Sequence, residues 1–130
     1  GLTPADDTVP VVLHNADFAL GHDRKTLWVV RPQHPFGSDD CGARNKVSSR
    51  LQIARMPLAG LLDGTGRWTP VAVIGPEDTG FPLNHNAAFA RDPAGILPDP
   101  RRIRINFTTA DTSPDSLWTY TLRWLVLDVP

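Results

Sequence analysis

Glutamate and lysine are almost missing from this 130-residue chain: Glu77, Lys25 and Lys46 are its only examples, and arginine and aspartate carry the remaining charge. Glu and Lys commonly fill exposed helix faces, so their scarcity, beside 13 prolines and 10 glycines, argues against a mainly helical fold. Cysteine is scarcer still. Cys41 alone excludes an internal disulfide and any multi-cysteine zinc site, and it favours the cytoplasm over secretion as the expected compartment. Net charge is lacking as well, since 13 basic and 14 acidic side chains sum to −1 and give no global field for nucleic acid or anionic lipid. Long apolar runs are absent. Leu117 to Leu127 is interrupted by Thr, Tyr and Arg and falls short of the roughly 20 residues of a spanning helix, so no membrane partner is expected. The chain opens Gly-Leu-Thr-Pro-Ala-Asp-Asp with no basic-then-apolar leader, so a signal peptide is expected to be absent or removed. The sequon Asn106-Phe107-Thr108 would matter only in a secretory pathway and reads as chance.

With 41% hydrophobic and 21% charged residues, the composition is that of one globular domain spanning residues 1–130. Its signal is period-two alternation. Arg102 to Thr108 sets Ile103, Ile105 and Phe107 on one face against Arg102, Arg104 and Asn106 on the other. Trp118 to Val126 aligns Trp118, Tyr120, Leu122, Trp124 and Val126, which reads as a core face, with Thr119, Thr121 and Arg123 outward. The two segments are expected to form a hairpin whose last strand runs through the middle of the domain. Further strands are expected at Val9 to Leu20, at Thr26 to Arg31 where Pro32 stops it, at Val47 to Met56, and at Trp68 to Ile74. In the last, Pro70 points to an edge. Asp63-Gly64-Thr65-Gly66 carries the glycines of a tight reversal. Six strands with no convincing helix indicate an all-β antiparallel sandwich, jelly-roll-like or immunoglobulin-like, with a closed barrel as the alternative.

Two long connections interrupt the scheme. Pro32 to Lys46 is polar and carries His34, Asp39, Asp40, Cys41 and Arg44; Gly75 to Asp99 carries four prolines and one or two turns of helix at most near Leu83 to Arg91. No catalytic constellation emerges. The G-x-S-x-G context is missing, Asp39 and Asp40 beside Cys41 disfavour a thiolate, and no metal-ligand spacing recurs. The expectation is therefore a non-catalytic binding module without cofactor or metal, with its recognition end formed by the two connections. Its candidate residues are His34, Asp39, Asp40, Asn84, His85, Asn86 and Arg91, whose hydrogen-bonding groups suit a glycan or other polar ligand. Four tryptophans add surfaces able to stack on sugar rings or enter a partner. The outward row of Arg102 and Arg104, joined by Arg50 and Arg123, suits an anionic group or a solvated face. One alternative is a subunit of a homo-oligomer whose arginine- or tryptophan-bearing faces meet a second copy. The other is a metal-assisted hydrolase using His34, Asp39, Asp40 or His85. Asp marks the turns and Arg the outward strand faces.

Overall fold

Ile103, Ile105 and Phe107 are buried and Arg102 and Arg104 exposed, as their alternation requires. The computed structural model of the chain describes residues 11–13, 16–35, 50–80, 83–110 and 120–130, with side chains described for 16–31, 50–80, 87–109 and 121–130. These residues form two antiparallel sheets. In chain order the elements are β1 (Val11–Leu13), β2 (Asp17–Leu20), β3 (Thr26–Pro35), β4 (Arg50–Pro57), α1 (Leu58–Asp63), β5 (Thr69–Ile74), α2 (Pro76–Thr79), β6 (Leu83–Phe89), β7 (Arg102–Ala110) and β8 (Tyr120–Asp128). The first sheet runs β1-β3-β4-β5, with β2 also pairing with β3, and the second runs β6-β7-β8. The expected sandwich is present, and neither sheet closes into a barrel.

Register explains which residues reach the interior. Across the first sheet, Asp17, Val30, Ile53 and Ala72 lie in one row, while Leu51 faces both Pro32 and Ile74 in the next row on that face. Val30, Leu51, Ile53 and Ile74 meet Phe89, Ile103, Ile105 and Phe107 of the second sheet in a single apolar core. β4 is buried on both faces from Leu51 to Ala54, the mark of a central strand. Leu51 and Ile53 lie on its core side, while Gln52 and Ala54 lie opposite.

The turns follow from aspartate. Asp23 accepts from the Lys25 and Thr26 amides at 2.8 and 2.9 Å, and its other oxygen accepts the Thr26 hydroxyl. Asp63, Asp92 and Asp99 likewise accept backbone N–H groups two to four residues ahead. These side chains act as local turn braces. The β4 to β5 connection is longer than the expected reversal: α1 ends at Gly64, whose φ of 76° is left-handed, and the chain returns so closely that the Gly66 amide donates to the Gly60 carbonyl at 2.7 Å. A Cβ on Gly60 would lie 2.7 Å from the Gly66 Cα, so neither glycine leaves room for a side chain.

Several expectations need correction. Pro32 does not stop β3, which continues to Pro35 against β1 and β4, and the expected single strand from Val9 to Leu20 is two strands that share β3 as neighbour. Residues 75–99 are not one long loop, because β6 occupies Leu83–Phe89 and pairs with β7, with a register irregularity between Leu83 and Ala87. That irregularity breaks the alternation that would have revealed it. Among the described residues β8 is an edge strand, not a central one, and its faces are reversed: Trp124 is 60% exposed, while Arg123, Leu125 and Leu127 turn inward. Trp118 lies outside the described residues. Among the described residues Pro70 does sit on an edge strand, β5.

Candidate functional site

The two sides of the sandwich differ. On the β2 side, the first sheet is tied to the second and to the segment that follows β6. Asp17 accepts the Phe89 amide at 2.8 Å through one oxygen and an Arg91 guanidinium nitrogen at 3.0 Å through the other. The same nitrogen of Arg91 also donates to the Phe18 carbonyl at 2.7 Å. Further along, the Leu97 amide donates to the Leu20 carbonyl, and Ile96 bridges to Leu20 in parallel. This side is sewn shut.

On the opposite side, β5 and β8 border a cleft of about 700 Å3 that reaches the core between the sheets. Its inner lining includes Ala72, Ile74, Phe107, Leu125 and Leu127, and Asp78, Thr79 and Arg123 supply its polar groups. The Arg123 Nε donates to the Thr109 hydroxyl at 2.9 Å, which fixes this inward guanidinium beside Phe107, its neighbour in register. Asp78 accepts the Gly75 amide at 2.9 Å and so braces α2 at the start of the cleft. Outside, β8 presents Leu122, Trp124 and Val126, which are 74%, 60% and 47% exposed. The Arg104 guanidinium stacks over the Trp124 ring at 4.7 Å from its centre. An apolar stripe on an edge strand, beside an open cleft, is the arrangement by which a sheet edge takes up another chain.

Among the described residues β8 pairs only with β7, through nine consecutive residue pairs from Arg102–Asp128 to Ala110–Tyr120 with no bulge. Comparison of the chain with known protein families, characterised proteins and solved structures finds no match.

The residues expected to form the recognition end fall differently. Asp39 and Asp40 lie outside the described residues, while His34 lies on β3 and Asn84, His85 and Asn86 on β6, with side chains outside the description. Arg91 is described, and it serves the closed side. It follows the far end of β6, whereas the 36–49 connection leaves and re-enters at Pro35 and Arg50, the end of the sandwich where β5 passes into α2. At that end Arg50 pairs with Glu77, the chain's lone glutamate, and this guanidinium is the first cause holding the Glu77 carboxyl below its ordinary value. Arg50 and the inward Arg123 therefore do not extend the outward row of Arg102 and Arg104. Among the described residues no three of His, Cys, Asp and Glu gather as metal ligands, and no helix is long and apolar enough to cross a membrane.

The cleft escapes a reading of the sequence because β8 is apolar on both faces from Trp124 onward. Alternation identifies the strand but not which side meets the core. Arg123 misleads, because an arginine reads as outward, and only the register that sets it opposite Phe107 places it on the inner face.

Proposed function

We propose that the protein is a non-catalytic binding module that takes an extended polypeptide segment along its open side, with β8 as the receiving edge. The observation that carries this reading is the cleft bounded by two strand edges, β5 and β8, and lined at its depth by core residues. A polypeptide supplies both things such a place can use, a row of backbone donors and acceptors for the edge and alternate apolar side chains for the cleft. Nine residues of β8, at about 3.3 Å each, offer an edge of about 30 Å.

Selection of displayed nine-residue peptides on the immobilised protein tests the reading. Enriched peptides should alternate apolar and polar residues, slow amide exchange over residues 120–128, and bind at least tenfold more weakly to Leu122→Lys. No enrichment, or binders that leave the β8 amides unchanged, would refute it. The exposed Trp124 indole supports a second reading, carbohydrate stacking, although Arg104 already lies over the ring. A glycan array on which binding disappears in Trp124→Ala would favour that reading instead.

A further inference from the structure

We propose that the segment β8 accepts is β8 of a second copy, paired antiparallel about a two-fold axis at Trp124 and joining the two three-stranded sheets into one of six strands. This rests on the reading of β8 as a receiving edge and names its partner.

The edges of the sandwich are unequal. β5 carries Pro70 and pairs with β4 across a register shift at Ile53 and Ala54, two features that hinder a further strand. β2 is covered by the segment at Ile96 and Leu97, which is tied to Leu20, and the β6 ladder is irregular between Leu83 and Ala87. Among the described residues β8 has none of these protections, and its inward Arg123 is turned onto the Thr109 hydroxyl of β7. Its nine residues, Tyr-Thr-Leu-Arg-Trp-Leu-Val-Leu-Asp, contain no proline and no lysine, and its ladder to β7 is unbroken. Such an edge, long, regular and apolar, invites another strand. Pairing with itself about a two-fold axis occupies the edges of both copies at once and closes the assembly at two.

The sequence of β8 also selects the axis. A two-fold axis perpendicular to the sheet pairs residues equidistant from it and keeps each on its own face. An axis at Arg123 would set two guanidiniums against each other, and one at Leu125 would set Asp128 against Leu122. An axis at Trp124 sets Leu122 against Val126 on both sides of a Trp124 pair, so the exposed stripe meets itself without a charge in its centre. The charged residues fall elsewhere: Arg123 faces Leu125, and Asp128, already paired with Arg102 at 3.3 Å, lies at the end opposite Tyr120.

Sedimentation equilibrium over a hundredfold range of protein concentration tests the association, and cysteine cross-linking tests the axis. The wild type should pass from monomer to dimer. The double variant L122K/V126K, altered only at exposed positions, should remain monomeric at every concentration with the melting temperature of the dilute wild type, while L122E/V126K should dimerise again, because each acid then faces a lysine of the other copy. In a C41S background, W124C should form an intermolecular disulfide on mild oxidation, since directly opposed Cα atoms in an antiparallel pair lie within reach of one. L122C alone and V126C alone should not. A wild type that stays monomeric, or a dimer in which W124C fails to cross-link, overturns the proposal. If the monomer still binds alternating peptides along β8, only the second copy is lost; if it binds none, the reading of the edge falls with it.

Discussion

Asp17 is small and sits near the surface, yet it joins three parts of the chain: β2, which carries it, the end of β6 through the Phe89 amide, and Arg91 beyond. Phe89 is buried, so its amide has no ready access to water once its acceptor is removed. Asp17→Ala should therefore lower stability by about 1–3 kcal/mol in urea titrations, more than an exposed ion pair accounts for. Arg91→Ala, which leaves the Phe89 bond intact, should cost less. The turn aspartates have a different effect. The Asp23 carboxyl is held below its ordinary 3.8 first by the Lys25 amide and then by the Thr26 hydroxyl, Asp63 by the Thr65 hydroxyl, and Asp99 by the Arg101 amide. Each binds its proton less tightly in the folded chain than in the unfolded one, so its stabilising contribution is complete above the ordinary value and drains away as pH falls through the lowered one. Unfolding midpoints should accordingly be flat near neutrality and fall below about pH 4. The triple variant D23N/D63N/D99N should show a shallower fall, and an unchanged acid slope would disprove the attribution.

At the scale of the element, two tryptophans on different strands part company. Trp28 is 5% exposed on β3 and belongs to the core, while Trp124 stands outside on β8 under Arg104. Trp28→Ala should cost about 3–5 kcal/mol. Trp124→Ala should cost no more than about 1 kcal/mol, the size of an exposed cation–π contact, with both values read from denaturant unfolding. A large loss at Trp124 would mean that β8 faces the other way. The same contrast shows how far the sequence reaches. The strand at Ile103, Ile105 and Phe107 is legible because one face is charged, and Pro70 announces an edge because it lacks the amide a central strand would use. β6 is illegible because its pairing shifts within seven residues, and α1 because Leu-Ala-Gly-Leu-Leu-Asp is too short for a helical period to register. The candidate site is legible only in its materials. The tryptophan of β8 and the arginine-bearing face of β7 can each be read from the sequence, whereas their meeting on one edge depends on register.

At the scale of the whole molecule, the two sides of the sandwich should differ in how readily they open. Amides near the Asp17 and Leu20 ties sit among bonds that cross between segments distant in sequence, while those along β5 and β8 border the cleft. Hydrogen exchange measured at concentrations low enough to keep the protein monomeric should be slow in β2, β3 and the end of β6 and faster in β5 and β8. Raising the concentration should slow β8 and leave β2 as it was. Uniform exchange across both sides would remove the distinction.

The closed side behaves as the spine of a book, with Asp17 and Arg91 among its stitches and the two sheets as its covers. Any occupant of the cleft then works against the spine: a guest slightly too thick parts the covers and loads bonds on the far side of the molecule, which it never touches. Asp17→Ala should loosen that resistance. Were the cleft to take up a segment, its thickness as well as its sequence would decide the fit.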